Sequence, residues 1–141
     1  MIKETDLRIG NVIYYQSSED GLLPNIVDWE DLKWLSENPE NFNEIFKPIP
    51  ISWVTLLKLG WEKHFIYDDN SFTISKRVGP FKLFSLAVDE KGLHFATDFD
   101  CIIKYYHQLE NIVYLITGFY LDDQLEKLEV SKLANENDYR F

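Results

Sequence analysis

Hydrophobic and polar residues alternate along much of the chain with the period of β-strands. Between residues 61 and 97, short apolar runs are separated by turn residues such as Gly79-Pro80, a pattern that predicts an antiparallel meander. Two β-branched and aromatic runs near the N-terminus, 7–15 and 22–27, predict a further pair of strands. The strands expected in the meander cover residues 61–67, 72–77, 81–88 and 93–97.

The longest helical pattern covers residues 102–117. Its apolar residues fall on one broad arc when successive residues are projected about 100° apart. We expect Asp98 or Asp100 to cap the start of this helix, and Gly118 to end it. The apolar arc contains Ile102, Tyr105, Tyr106, Leu109, Ile112, Val113 and Ile116.

Two shorter helices are also expected. Ser52 is a favourable N-cap for a helix that continues to residue 59, and Asp28 can cap another that runs to about Ser36. The stretch Asn38-Pro39-Glu40-Asn41 is then expected to form a turn that ends the helical segment.

Together these elements predict the α+β class. We expect an antiparallel sheet of about five or six strands with two main helices, 52–59 and 102–117, packed on it. A small barrel-like N-terminal part is an alternative arrangement for the first strands. Residues 1–121 are expected to form a single α+β domain, and residues 122–141 an acidic C-terminal extension that is a short helix or partly disordered.

Composition and charge narrow the possible functions. The 141 residues are 45% hydrophobic and 16% aromatic, which is typical of a folded domain. The net charge is −10, and most of the acidic excess lies in residues 16–46, where eight acidic residues face one basic residue. Residues 47–118 are neutral, with eight of each. We therefore expect no direct binding to nucleic acid, which requires clustered Lys and Arg.

The sequence also carries signals of location. Cys101 is the single cysteine, so no disulfide can form within the chain, which favours a reducing cytoplasm. The N-terminus lacks the apolar core of a signal peptide, and no run of 18 apolar residues is present. We expect a cytoplasmic protein without a membrane association.

Motifs for catalysis or cofactor binding are weak in this sequence. The glycines are scattered and form no phosphate-binding loop, and the three histidines fall in separate predicted elements. Asp98 and Asp100 resemble a carboxylate pair, but capping the following helix is the simpler role. Those carboxylates would also raise the pKa of Cys101, which disfavours a nucleophile. We expect no cofactor and no metal, and the sequence favours a non-enzymatic protein over an enzyme.

Two groups of residues are candidates for an interaction face. On the long helix, His107, Asn111 and Tyr114 share one polar stripe, which either binds a ligand or ties the helix to an adjacent loop. In the acidic segment, aromatic residues are interleaved with carboxylates, which indicates either a docking face or a solvated surface over a packed segment. The candidate face contains Trp29, Trp34, Glu37, Glu40, His107, Asn111 and Tyr114.

Three stretches carry a resemblance to a known family. They are DLRIGN at 6–11, NFNEIFKPIPISW running into LLKLGWEK across 41–63, and IKYYHQLENIVYLITG at 103–118. Together they resemble a family of small uncharacterised proteins from Bacteroidetes genomes, often in prophages and other mobile elements. The resemblance implies a bacterial or phage origin and a cytoplasmic setting. It carries over no catalytic or binding residue, because the family has no established activity.

Three hypotheses for function follow. The leading one is a non-enzymatic interaction or accessory protein of a bacterial mobile element or prophage, whose partner is a protein. The second is an acidic inhibitor or mimic that acts on a DNA-binding protein. The third is a small ligand-binding protein or enzyme that uses the face of His107, Asn111 and Tyr114. The oligomeric state stays open at this point.

Overall fold

The chain folds into two antiparallel sheets with helices packed against them, as a computed structural model of residues 1–68, 70–80, 82–95, 98–121 and 127–132 describes. The helices are α1 (Trp29–Glu37), α2 (Pro39–Ile45), α3 (Trp53–Lys58) and α4 (Tyr106–Thr117), and residues 127–132 are also helical. The strands are β1 (Val12–Ser17), β2 (Gly21–Ile26), β3 (Phe46–Lys47), β4 (Glu62–Asp68), β5 (Ser71–Val78), β6 (Lys82–Asp89), β7 (Gly92–Phe95) and β8 (Asp98–Ile102).

The predicted α+β class is confirmed. The meander forms a five-stranded antiparallel sheet in the order β4-β5-β6-β7-β8, with β5 and β6 paired from Phe72 opposite Val88 to Val78 opposite Lys82. The N-terminal strands form a separate sheet in the order β2-β1-β3. Neither sheet closes into a barrel within the described ranges, so the barrel-like alternative for the N-terminal part is wrong.

The N-terminal unit has its own small core beside the three-stranded sheet. α1 begins as predicted, because Asp28 and Asp31 form a reciprocal capping box in which each side chain accepts from the other residue's backbone N–H. α2 was not predicted. Proline breaks a helix only in its interior, and Pro39 here occupies the first turn, where its missing N–H costs nothing. The core contains Ile2, Leu7, Ile13, Val27, Leu35, Phe42 and Phe46.

The main core lies where the five-stranded sheet meets α3, α4 and β1. Its buried side chains include Leu56 from α3, Leu109 and Val113 from α4, and Ile74 and Leu86 from the sheet. The two main helices therefore pack on the sheet as expected. No helix in the described parts of the chain is long and apolar enough to cross a membrane.

The start of α4 differs from the prediction. Residues 98–102 are strand β8, which pairs with β7, and the helix begins only at Tyr106. The helix is capped by Gln108, whose side-chain oxygen accepts from the backbone N–H groups of Lys104 and Tyr105. Asp98 and Asp100 therefore do not cap it. Their side chains, and that of Cys101, lie outside the described side chains, so the carboxylate pair is not placed.

The predicted C-terminal extension, residues 122–141, lies largely outside the described residues. Its part at 127–132 packs onto the domain, since Val130 is fully buried in the main core. The Tyr14 hydroxyl donates to the backbone oxygen of Ser131 over 2.9 Å, which joins this segment to β1.

Candidate functional site

The three residues predicted to share a polar stripe on α4 have different surroundings. His107 is buried, with 3% of its surface exposed, whereas Asn111 is half-buried and Tyr114 is exposed. Buried residues of α4 extend from Leu109 round to His107, so the helix turns its His107 side toward the protein. The stripe is therefore not an open surface.

Asn111 ties α4 to the loop that precedes β1. Its side-chain oxygen accepts from Asn11 Nδ2 over 2.9 Å, and its own Nδ2 donates to the Asp6 backbone oxygen over 2.9 Å. Asn11 in turn accepts from the Arg8 backbone N–H over 2.7 Å. A primary amide can make these contacts because it carries a donor and an acceptor on one group. We expected this stripe either to bind a ligand or to tie the helix to a loop, and Asn111 ties the helix to a loop.

Glu110 is the most unusual titratable group on α4. Its carboxylate is buried, accepts from the Val12 backbone N–H over 3.0 Å and lies 3.4 Å from Lys127 Nζ. Burial raises the pKa of Glu110 to about 7, against the Val12 hydrogen bond and the Lys127 charge, which favour the ionised form. This carboxylate therefore joins α4, β1 and the helical segment 127–132. Nothing in the sequence spacing indicated the pairing, because Lys127 is distant in the chain.

Arg8 covers the last member of the stripe. Its guanidinium carbon lies 3.9 Å from the ring centre of Tyr114 and 5.8 Å from that of Tyr120. The two tyrosine rings are 5.0 Å apart. Tyr114 is thus held by a cation–π contact within the protein.

His107 is a buried imidazole with one ring nitrogen that makes no hydrogen bond to the described residues. Its Nδ1 is buried without a hydrogen-bond partner in the described part of the chain, and its ring stacks on that of Tyr105 with the centres 5.9 Å apart. Burial lowers the pKa of His107, while the nearby Asp6 charge acts in the opposite direction. The imidazole is therefore held toward its neutral form.

An open cleft lies beside the start of α4. Its volume is about 250 Å³, at or below the small end of typical ligand pockets. Three isoleucines form its apolar part, and Asp6 supplies a carboxylate. Neither His107 nor Tyr114 lines it, so it does not unite the predicted stripe. The lining residues are Asp6, Ile102, Ile103, Gln108, Asn111 and Ile112.

A second cavity, of about 340 Å³, lies between two hairpin turns of the five-stranded sheet. Asp89 lines it, bonds to His94 Nε2 over 3.0 Å and accepts from the Lys91 backbone N–H, and these contacts lower the pKa of Asp89. The described side chains contain no group of three or more His, Cys, Asp or Glu that could hold a metal ion. The cavity is lined by Asp68, Asn70, Ser71, Asp89, Glu90 and Lys91.

The acidic segment presents the remaining members of the candidate face. Trp29 is 61% exposed at the first position of α1, and Glu37 and Glu40 are exposed at the junction of α1 and α2. Trp34 is half-buried, with its ring against Phe42 and Phe46 at centre distances of 5.7 and 6.0 Å. The structure therefore divides the two tryptophans: Trp34 packs inward and Trp29 projects outward.

Comparison with known proteins identified no relative of this chain. No protein-family model, curated protein or solved structure matches the chain.

Proposed function

We propose that the protein is a non-enzymatic accessory protein that binds a basic protein partner through an acidic surface centred on Trp29. We define the Trp29 surface as the exposed side of α1 and α2. It consists of Trp29, Glu30, Lys33, Glu37, Glu40 and Glu44, all of which are exposed.

The exposure of Trp29 is the observation that carries this proposal. All four tryptophans lie in the described ranges, and Trp34, Trp53 and Trp61 are half-buried or buried, while Trp29 is 61% exposed. Leaving so large an apolar side chain in water costs free energy that burial would recover. Tryptophan is also among the residues that contribute most to protein–protein binding. An exposed tryptophan on a helix is therefore well suited to anchor a partner.

The charges around Trp29 indicate the chemistry of that partner. Four exposed carboxylates face the single ammonium of Lys33, so the surface is strongly acidic. A basic surface would be attracted to it at long range and would approach faster at low salt. The carboxylates are those of Glu30, Glu37, Glu40 and Glu44.

The anchor is also held in place before binding. The capping box of Asp28 and Asp31 fixes the first turn of α1, and Leu35 buries the opposite side of the helix in the N-terminal core. A side chain on a fixed helix loses less conformational entropy on binding than one on a mobile loop. This supports a binding role for the surface.

The setting that we propose is the cytoplasm of a bacterium, in a prophage or another mobile element. The resemblance of residues 6–11, 41–63 and 103–118 to the Bacteroidetes family supports this setting, as does the single cysteine.

The experiment is a capture assay with the immobilised protein in host lysate, washed at increasing salt. Trp29→Ala should lower the affinity of a captured basic protein by about 30-fold or more, as expected for the loss of a central anchor. Leu115→Ala is the matched control, because Leu115 is 85% exposed but lies on α4. Capture that is equally strong with Trp29→Ala and with Leu115→Ala would contradict the proposal.

The inhibitor hypothesis uses the same acidic surface and is distinguished by a competition. If the partner is a DNA-binding protein whose DNA site is blocked, duplex DNA should displace this protein from it. The complex should then weaken with salt, because both contacts depend on charge. A captured basic protein that binds DNA and the Trp29 surface at the same time would exclude the inhibitor hypothesis, and the accessory role would remain.

A further inference from the structure

An exposed apolar group projects from the edge of the five-stranded sheet. Phe65, Ile66 and Tyr67 follow one another in β4, and their surfaces are 78%, 67% and 76% exposed. β4 is an edge strand, with β5 as its neighbour. Three large apolar side chains in succession in water are unusual, and such patches commonly mark interaction sites. We call these three residues the β4 bulge.

The backbone of the β4 bulge is displaced from the sheet. His64 pairs with Thr73 and Asp68 with Ser71, so three residues of β4 stand opposite one residue of β5. Phe65 has a φ of +46°, and in the described ranges no other non-glycine residue has a positive φ. Bulges and such strained backbone recur at functional positions.

Both ends of the β4 bulge are anchored. The Thr73 hydroxyl donates to the His64 backbone oxygen over 2.7 Å, and Asp68 Oδ1 accepts from the Asn70 backbone N–H over 2.8 Å. On the preceding residue, the Lys63 ammonium lies 4.4 Å from the ring centre of Phe72. These contacts fix the residues on either side of the bulge.

We propose that the β4 bulge is a self-association surface, on which the β4 bulge of a second copy of this chain packs about a two-fold axis. A patch that contacts its own copy forms an isologous contact. Since a large aromatic side chain can bury about 150–250 Å², the three exposed side chains offer roughly 400 Å² per copy. Two copies would then bury about 800 Å² from these residues alone, which is less than the roughly 1,200 Å² of a standard specific interface, so flanking residues must supply the remainder. The expected product is a weak dimer.

Charge selects the register of this dimer. With the axis at Ile66, Phe65 lies opposite Tyr67 of the second copy, and His64 lies opposite Asp68. With the axis at Phe65, Glu62 would lie opposite Asp68, which places two carboxylates together at a cost. The axis at Ile66 is therefore favoured.

The five-stranded sheet itself adds no net charge that would oppose this approach. Residues 47–118, which supply the five-stranded sheet, carry equal numbers of acidic and basic side chains. Most of the acidic excess lies in residues 16–46, which do not belong to the five-stranded sheet. This inference does not depend on the function proposed above, because it concerns a different surface and a different partner.

The test is sedimentation velocity of the full chain across a wide range of concentration. The wild type should shift from monomer toward dimer as concentration rises. Ile66→Arg should abolish the shift, because two arginines would face each other across the axis. Leu115→Arg is the matched control, since Leu115 is 85% exposed on α4, and it should leave the dimer intact. Circular dichroism melting checks that both variants are folded.

The register has a second test, which does not alter the apolar side chains. His64→Lys should strengthen the dimer several-fold, because an ammonium group then faces Asp68, and His64→Asp should weaken it by a similar factor, because two carboxylates then meet. A wild type that is monomeric at every concentration would overturn the proposal and leave the β4 bulge to a different protein or to a lipid surface. Equal loss of the dimer with Ile66→Arg and Leu115→Arg would also overturn it, since association would then be non-specific.

Discussion

Glu110 and Lys127 form a buried pair, with Oε2 of the carboxyl group 3.4 Å from the ammonium nitrogen. Lys127 also donates to the Gly10 backbone oxygen, and Glu110 also accepts from the Val12 backbone N–H. The pair therefore joins α4 and the helical segment 127–132 to the start of β1. An unpaired buried charge costs several kcal/mol, so neither partner can be removed cheaply.

The first prediction concerns the dependence of stability on pH. Burial raises the pKa of Glu110 from 4.5 to about 7, so between these values the folded protein binds a proton that the unfolded chain has released. The free energy of unfolding should therefore fall as pH rises from 4.5 to 7, by at most about 3 kcal/mol at 1.36 kcal/mol per pKa unit. Glu110→Gln should remove this decline. Urea unfolding at a series of pH values measures it.

The pKa shifts of His107 and Asp89 also make stability depend on pH, so the Glu110→Gln variant must be compared with the wild type at each pH. The lowered pKa of His107 acts in the opposite sense, since it makes stability rise with pH up to the unfolded value of 6.5. The lowered pKa of Asp89 makes stability fall as the medium becomes strongly acidic. Both contributions cancel when the Glu110→Gln profile is subtracted from that of the wild type. A difference that does not change between pH 4.5 and 7 would contradict the assignment to Glu110.

The second prediction concerns the attachment of the N-terminal loop. Asn111→Ala removes the hydrogen bonds to Asn11 and to the Asp6 backbone oxygen, at a cost of about 2 kcal/mol for two bonds. Amide hydrogen exchange should then become faster in residues 6–11, while the strands of the five-stranded sheet stay protected. Asn41→Ala is the control, because Asn41 is exposed on α2. Equal exchange in the two variants would show that Asn111 does not hold the loop.

Local signals in the sequence predicted several elements that depend on local chemistry, although α2, which begins at Pro39, was missed. The cap at Asp28 begins α1, Gly118 ends α4 with a φ of +76°, and the turn residues of the meander separate antiparallel strands. Each of these features depends on residues close together in the chain. The prediction of residues 98–105 failed because a distant contact decides the outcome there. β8 forms because it pairs with β7, and this pairing delays the start of α4 to Tyr106.

The site on α4 was harder to predict because the helix is rotated relative to its apolar arc. Projection at about 100° per residue places Glu110 roughly 40° from Tyr106, between Tyr106 and His107 on the helix surface. Tyr106, Glu110 and Val113 are all buried, whereas Leu115 is 85% exposed. The protein can bury Glu110 because Lys127 and the Val12 N–H satisfy its carboxylate. Neither partner is visible from the helix sequence, so apolar periodicity found the buried residues Tyr106, Leu109 and Val113 but missed the burial of Glu110 and His107.

The third prediction concerns the end of α4, where Phe119 packs on Gly79 in the turn between β5 and β6. A Cβ at Gly79 would lie 2.7 Å from Phe119 Cδ2, whereas a Cβ at Gly118 would meet nothing within 4 Å. The two glycines have similar φ values, +68° and +76°, so the backbone strain of an alanine is about 1 kcal/mol at either position. Gly79→Ala should therefore cost about 1–2 kcal/mol more than Gly118→Ala in thermal or urea unfolding, through overpacking. In a Phe119→Ala background this excess should disappear, because the ring that causes it is gone. An excess that persists without the Phe119 ring would mean that strain in the turn itself, and not the contact with α4, sets the cost.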